Sequence, residues 1–178
     1  IAAQLVDFKI GNGLEVALGG GRPYFEPNTQ ADPEYPTRMG RRTDGRNLTA
    51  EWAAKPGAAY VWNKAQFDAV DPKRTKRLLG LFEPSHVKYE ADRANDTAGE
   101  PSVAEMTRKA IEMLQKNPNG FYLMVEGGRI DHAHHAGNAY RALTDTIALA
   151  EAVKVAREMT DDKDTLIIVT ADHSHTLS

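Results

Sequence analysis

Histidines and carboxylates occur together in two short segments of the chain. Residues 126–135 read EGGRIDHAHH, residues 170–175 read TADHSH, and together they hold five of the six histidines. Carboxylate oxygens and imidazole nitrogens are suitable ligands for zinc. Two metal ions close together can activate a nucleophile and stabilise a leaving oxygen during phosphoryl displacement. The two segments therefore favour a two-metal site.

Each segment directly follows a short apolar run, and the carboxyl ends of neighbouring strands in an α/β sheet form the usual ligand site. Glu126, a carboxylate before two glycines, suits a hard ion such as magnesium. A turn with a hydrogen-bonded imidazole is the alternative for either segment alone. His132 and His134 fit solvated loop positions equally well, and Arg129 fits either a phosphate contact or a structural ion pair. The candidate metal ligands are Glu126, Asp131, His135, Asp172 and His173.

The two apolar runs have the composition of strands that are buried on both faces of a parallel sheet. They are residues 121–125, FYLMV, and residues 166–169, LIIV. Between them, apolar residues repeat every three or four positions and predict a helix over about 138–159. The members of this apolar stripe are Tyr140, Leu143, Ile147, Ala150 and Val153. The three elements together predict a βαβ unit with a right-handed crossover.

Elsewhere the pattern predicts further elements of an α/β fold. Ser102 and Glu105 form a capping-box pattern and predict a helix over about 102–116. Apolar runs at residues 14–18 and 60–62 predict strands, the first of which leads into three glycines that allow unusual backbone angles. Many prolines, glycines and charges in residues 22–46 predict a long surface loop without core elements.

Composition and charge exclude several classes of protein. Apolar residues make up 41% of the 178 and charged residues 26%, which is ordinary for a soluble globular domain. The formal net charge is −3, so the composition gives no support for a nucleic-acid partner. No apolar run approaches the roughly 18–20 residues that span a bilayer. The chain has no cysteine, so any metal ligands must be histidine, aspartate or glutamate.

Several segments resemble the alkaline phosphatase family, and the similarity covers nearly the whole chain. The most specific are the two histidine-rich segments. The resembling segments are GGGR at 19–22, DPEYP at 32–36, YVWN at 60–63, GLFEP at 80–84, VEGGRIDHAHH at 125–135, YRALT at 140–144 and TADHSH at 170–175. The resemblance implies a three-layer α/β fold, a mostly parallel sheet with helices on both faces. It implies that 1–21 and 102–178 belong to the catalytic domain and 22–101 to an irregular metal-binding surface lobe.

The resemblance also implies roles for individual residues around zinc and magnesium. Asp131 and His135 match ligands of a first zinc, whereas Asp172 and His173 match ligands of a second zinc. Glu126 matches a magnesium ligand, and His132 matches a position near that ion. His175 matches a residue that hydrogen-bonds a zinc-bound carboxylate, here Asp131. Each zinc would keep two protein ligands in this chain, which predicts weak binding, because catalytic zinc normally has three.

A structural calcium site is implied in the lobe by the same resemblance. Its ligands would be Glu34, the carbonyl of Phe82, Glu83 and Glu100, where Glu100 stands in place of an aspartate in the family members compared. Carboxylates this far apart in the sequence would converge around the cation. We therefore expect residues 22–46 and 71–101 to pack together.

The implied activity is hydrolysis of phosphate monoesters through a phosphoserine intermediate at a two-zinc, one-magnesium site. The serine segment of the family has no match here, so the chain is expected to be an internal segment of the enzyme and inactive alone. Inorganic phosphate would be a product, the parent enzyme a homodimer, and its location periplasmic or extracellular. The alternatives are a sulfatase or phosphodiesterase of the same superfamily, or a metal-binding fragment without catalysis.

Overall fold

The structure is a computed structural model that describes residues 1–176. The chain divides into two compact units, one formed by residues 1–87 with 97–100 and the other by residues 88–96 with those from 101 onward. Within the described residues, no helix combines the length and the apolar character that a membrane crossing requires.

The first unit is built on a three-stranded parallel sheet. Its strands are β1 (Val16–Gly19), β2 (Ala58–Val61) and β3 (Arg77–Leu81), in the order β1-β3-β2. Val16 pairs with Leu78 and Ala58 with Arg77, so the middle strand is the last in the sequence. The expected α/β fold with a parallel sheet is confirmed. β2 and β3 lie within residues 22–101, which the sequence analysis assigned to the surface lobe.

Three helices accompany this sheet, and asparagine begins two of them. They are α1 (Ala2–Val6), α2 (Leu48–Ala53) and α3 (Lys64–Ala69). The side chain of Asn47 accepts a hydrogen bond from the Ala50 N–H, and Asn63 caps α3 in the same way. Trp52 is fully buried, and its Nε1 donates to the Ala59 carbonyl at 3.1 Å. The core residues are Val6, Phe25, Leu48, Trp52, Leu79 and Leu81.

The loop predicted over 22–46 begins with a short 3₁₀ turn, Arg22–Tyr24, after Gly21 at a φ of 84°. It lies on the surface only in part, because the side chain of Arg22 is fully buried and holds the loop. Its Nε and Nη2 donate to the two carboxylate oxygens of Asp32 at 2.8 and 2.9 Å, and its Nη1 donates to the Leu81 carbonyl at 3.1 Å. A bidentate ion pair of this kind is stable in a core when the remaining donors are also satisfied.

A second buried carboxyl group, that of Glu26, lies near this ion pair. Glu26 is 1% exposed, and its Oε2 has no hydrogen-bond partner in the part of the chain that the structure describes. Burial raises the pKa of Glu26 to about 7, and the negative charge of Asp32 acts in the same direction, while Arg22 opposes it. Burial also raises the pKa of the nearby Tyr60 hydroxyl. The proton of Glu26 is therefore bound more tightly in the folded than in the unfolded chain.

The described part of the second unit contains four helices, and α7 packs against the other three. They are α4 (Glu90–Arg93), α5 (Val103–Leu114), α6 (Arg129–His135) and α7 (Ala139–Met159). The predicted capping box is present at α5: Ser102 Oγ accepts from the Glu105 N–H at 3.2 Å, and Glu105 Oε2 accepts from the Ser102 N–H at 2.7 Å. Both long predicted helices are confirmed within a few residues of their expected ends.

The two predicted strands of this unit do not form ladders among the described residues. Residues 121–125 and 166–169 have no strand hydrogen bonding, and their apolar side chains are largely exposed, 87% for Tyr122 and 83% for Leu166. The apolar stripe predicted on α7 is likewise exposed in part, since Leu143 and Ile147 are each 61% accessible. A strand requires a hydrogen-bonded neighbour, and the described part of this unit offers none. The apolar pattern therefore predicts that these two segments are buried, whereas the described residues leave them exposed.

Two arginines stack on one tyrosine ring in the second unit. The guanidinium carbons of Arg129 and Arg141 lie 3.7 and 4.6 Å from the Tyr89 ring centroid. Arg141 also pairs with Asp92 at 2.8 Å. Asp145 is buried, and this burial raises the pKa of its carboxyl group, while the nearby charge of Arg129 lowers it. The stacking connects the first residue of α6 to α4 and α7.

We predict that replacing Glu26 by glutamine makes the stability of the chain less dependent on pH. In the parent chain, unfolding releases the Glu26 proton between about pH 4.5 and 7, so the free energy of unfolding falls across this window as pH rises. At pH 8 the Glu26→Gln variant should be more stable than the parent chain by about 3 kcal/mol, given about 1.4 kcal/mol per pKa unit and a pKa raised from 4.5 to about 7. Urea unfolding at pH 5 and pH 8 measures the effect. The exposed Glu158→Gln variant is the control, and an unchanged slope in Glu26→Gln would contradict the account.

We predict that the Tyr89→Leu substitution destabilises the second unit by about 1–2 kcal/mol, because it removes the ring face on which two guanidinium groups stack. The Tyr89→Phe variant keeps the ring and should stay within about 0.5 kcal/mol of the parent chain. Thermal unfolding followed by far-ultraviolet circular dichroism compares the three proteins. Equal losses in the leucine and phenylalanine variants would show that the stacking contributes nothing.

Candidate metal centre

Helix α6 places two candidate ligands on one face. Asp131 and His135 are four residues apart, which brings their side chains together on a helix surface. His135 Nε2 lies 3.5 Å from Asp131 Oδ2. The histidine side chain is 68% exposed and the aspartate side chain 39% exposed, so the pair is open to solvent on one side.

The second histidine-rich segment, which has no helix or strand, runs past the same aspartate. The Nε2 atoms of His173 and His175 lie 3.7 and 3.8 Å from Asp131 Oδ1. The ring of His175 lies edge-on to that of His135, with centroids 4.6 Å apart, and stacks on that of His134 at 5.2 Å. Residues about 40 positions apart in the sequence thus converge on one carboxylate.

The hydrogen bonds of the rings determine which nitrogen can act as a ligand. The Nδ1 atom of His173 is 2.9 Å from the Ser174 carbonyl, and that of His175 is 2.8 Å from the Thr176 carbonyl. A carbonyl only accepts hydrogen bonds, so each Nδ1 carries the proton and donates it. In the neutral ring, Nε2 then presents a lone pair. The hydrogen bond to Ser174, followed by the negative charge of Asp172, raises the pKa of His173.

Asp131 Oδ1 is buried and has no hydrogen-bond partner among the described residues. The atoms that face it are the Nε2 atoms of His173 and His175, which in neutral rings are also acceptors. Acceptors that face one another without a donor between them are stabilised only by a proton or a cation. The oxygen and imidazole donors present fit zinc, and the ligand atoms of Asp131, His135 and His175 all lie within 4.8 Å of one another.

The remaining predicted ligands of this centre lie further out. The side chain of Asp172 is 91% exposed, and its Oδ2 is 3.7 Å from the Nε2 of its neighbour His173. Glu126 is exposed, with its carboxylate over the turn at Gly128. His132 is half-buried on α6. The assignment of these residues to individual zinc and magnesium ions stays a prediction.

The predicted calcium ligands lie in the first unit, and two of them are close together. One carboxylate oxygen of Glu34 lies within 4.8 Å of a carboxylate oxygen of Glu83. Glu83 and Glu100 are 5% and 2% exposed, and Phe82 is fully buried. Arg22 Nη2 also donates to Glu34 at 2.8 Å, a contact that the sequence pattern did not predict. The only signal for this contact was an arginine directly after three glycines, within a segment already noted for its resemblance.

Comparison with known proteins identifies the family of the chain. The family model for alkaline phosphatase matches residues 1–178. The tissue-nonspecific alkaline phosphatase of Gallus gallus is 50% identical over 98% of this chain and 34% of its own length. The membrane-bound alkaline phosphatase of Bombyx mori is 46% identical over 100% of this chain and 32% of its own length.

Solved structures give the same result. The alkaline phosphatase of Thermus thermophilus superposes with a TM-score of 0.71 at 37% identity, over 87% of this chain and 28% of that protein. The chain thus spans about a third of the length of the relatives that it matches, 34% and 32% for those of Gallus gallus and Bombyx mori. On the match over its whole length, the chain belongs to the alkaline phosphatase family.

Proposed function

We propose that the whole protein containing this chain hydrolyses phosphate monoesters and that the chain supplies part of its metal centre. The observation that carries the proposal is the convergence of His135, His173 and His175 on Asp131 in a member of the alkaline phosphatase family. A carboxylate surrounded by imidazole lone pairs suits a divalent cation, and alkaline phosphatases are named for phosphate release.

The proposed centre holds two zinc ions and one magnesium ion. Asp131 and His135 would hold one zinc, Asp172 and His173 the other, and Glu126 the magnesium. When bound, the ions would supply positive charge against the phosphoryl oxygens and lower the pKa of an attacking group. The contribution of this chain is to hold that charge in place: Asp131 is anchored on α6, and the Nδ1–H of His173 is fixed by a carbonyl, as in most histidine ligands.

The nucleophile of this reaction is proposed to be a serine outside the chain, which would form a phosphoserine intermediate. The exposed apolar side chains of 121–125, of 166–169 and of the α7 stripe support a larger protein. Large apolar side chains exposed in such numbers are usually covered in a folded protein. We propose that other parts of the whole protein pair with the two strand-like segments and that the chain alone has no turnover.

The remaining expectations form part of the same proposal. Inorganic phosphate would be released, the whole protein would be a homodimer, and it would act in the periplasm or outside the cell. A calcium ion would bind Glu34, Glu83, the Phe82 carbonyl and Glu100. The support for this calcium site is the closeness of the Glu34 and Glu83 carboxylates in the first unit.

We predict that the His135→Ala and Asp172→Ala substitutions in the whole protein each reduce phosphatase activity by more than about 100-fold. Loss of a residue that only hydrogen-bonds a metal ligand already costs about 10–100-fold, so loss of a ligand itself should cost more. Hydrolysis of p-nitrophenyl phosphate by the metal-loaded protein is the measurement. His86→Ala, which changes the one histidine outside the two segments, is the control and should retain activity.

The same assay separates the proposal from its rivals. The whole protein should act on p-nitrophenyl phosphate far faster than on p-nitrophenyl sulfate or bis(p-nitrophenyl) phosphate, whereas the 178-residue chain should do no better than buffer containing zinc. Preference for the sulfate or the diester would favour a sulfatase or a phosphodiesterase. Turnover by the chain alone, abolished by His135→Ala, would contradict the proposed external serine.

A further inference from the structure

We propose that a basic patch formed by Arg38, Arg41 and Arg42 binds an acidic segment of a partner protein. The patch lies in the first unit, on the loop over residues 22–46, and contains none of the candidate metal ligands. The inference therefore does not rest on the proposed function. The whole chain carries a net charge of −3, so this local excess of positive charge does not follow from its overall composition.

The loop places carboxylates inside and unpaired arginines outside. Asp32 and Glu34 both accept hydrogen bonds from the buried Arg22, and their side chains are 0% and 7% exposed. Arg38 and Arg41, in contrast, are exposed, and neither forms an ion pair within residues 1–176. The outer surface of the loop therefore presents positive charge that the described chain does not neutralise.

Each of these two unpaired guanidinium groups lies on a tyrosine ring. The guanidinium carbon of Arg38 is 5.0 Å from the Tyr35 ring centroid, and that of Arg41 is 5.4 Å from the Tyr24 ring centroid. Arg41 Nη1 also donates to the Tyr24 hydroxyl at 2.9 Å. Stacking restricts an arginine side chain before a ligand arrives, so less conformational entropy is lost on binding. The guanidinium carries further N–H donors that match the two oxygens of a carboxylate.

The backbone beneath the patch is held against the preceding part of the loop. The Gly40 N–H donates to the Gln30 carbonyl at 2.9 Å, and the Arg41 N–H donates to the Pro23 carbonyl at 2.7 Å. A side chain added at Gly40 would come within 2.3 Å of the Pro27 carbonyl oxygen, so the two segments lie in direct contact. A partner would therefore meet a surface that needs little ordering.

An open depression of about 240 Å³ adjoins the patch and is lined by Tyr24, Arg41, Arg42, Thr43 and Asp44. A water molecule takes up roughly 30 Å³ of the liquid, so a carboxylate side chain fits in this space. Asp44, the one exposed carboxylate of the loop, already accepts hydrogen bonds from Arg42 with both of its oxygens. This internal pair shows that the depression accommodates a carboxylate, and it also occupies Arg42.

The residue types of the patch favour a protein partner over a nucleic acid or a sulfated polysaccharide. Arginine, tyrosine and methionine are enriched in protein–protein interfaces, and here Tyr24 is 52% and Met39 is 44% exposed on the same loop. Residues 22–46 contain no lysine. A long polyanion is bound chiefly through many cationic contacts, whereas two unpaired arginines are sufficient for a short acidic segment.

The test is the binding of a fluorescein-labelled hexaglutamate peptide to the whole protein that contains this chain, followed by fluorescence anisotropy. Arg38→Gln and Arg41→Gln should each weaken binding by about three- to fivefold, and the double variant by about tenfold or more. Asp44→Asn should instead tighten binding by about threefold, because it releases Arg42. The control is Arg74→Gln, which removes another exposed arginine of the first unit and should bind within about twofold of the parent.

Three results would overturn the inference. The first is equal affinity of the parent and the double variant, with far-ultraviolet circular dichroism showing that both are folded, and the second is absence of hexaglutamate binding by the parent. The third is tighter binding of heparin or single-stranded DNA than of hexaglutamate through the same arginines, at equal concentration of negative charge, which would reject a protein partner. A hexaglutamine peptide should not bind, because it has no carboxylates.

Discussion

The candidate site is organised around one electrostatic requirement, a positive charge beside Asp131. Within residues 1–176 its buried Oδ1 has no hydrogen-bond donor, and the Nε2 atoms of His173 and His175 face it. In low-dielectric surroundings such a group of acceptors is costly unless a proton or a cation lies between them. Zinc, the proposed ion, would satisfy this requirement with the donor types present, and the metal and the local fold would then stabilise each other.

The fold meets this requirement by fixing α6 against its neighbours. Ala133, on the opposite side of α6 from the exposed His135, is completely buried. An added side chain at Gly127 would come within 3.1 Å of Leu149 on α7, which shows how closely the turn before α6 approaches that helix. At the other flank, Arg129 stacks on Tyr89. The direction of Asp131 is therefore set by packing that involves no metal ligand.

Local patterns made much of this predictable from the sequence. The capping box at Ser102 predicted α5, and the long periodicity after Asn138 predicted α7, since each of these signals is local in the sequence. The ligand segments were predictable because histidine and aspartate cluster there. The burial of Glu26 beside Asp32 was not, because it depends on a long-range fold. The pattern also did not show that residues 121–125 would lack a strand partner among the described residues. An apolar run predicts that a segment is buried, but it does not identify the strand that pairs with it.

The central claim is that the carboxylate of Asp131 requires a cation, which we propose to be zinc. The zinc affinity of the 178-residue chain, measured by competition with a chromophoric chelator, tests it most directly. The account predicts that Asp131→Asn weakens zinc binding by about 10–100-fold, whereas His86→Gln binds zinc within about threefold of the parent chain. Equal zinc affinity of the parent chain and a folded Asp131→Asn variant would contradict it.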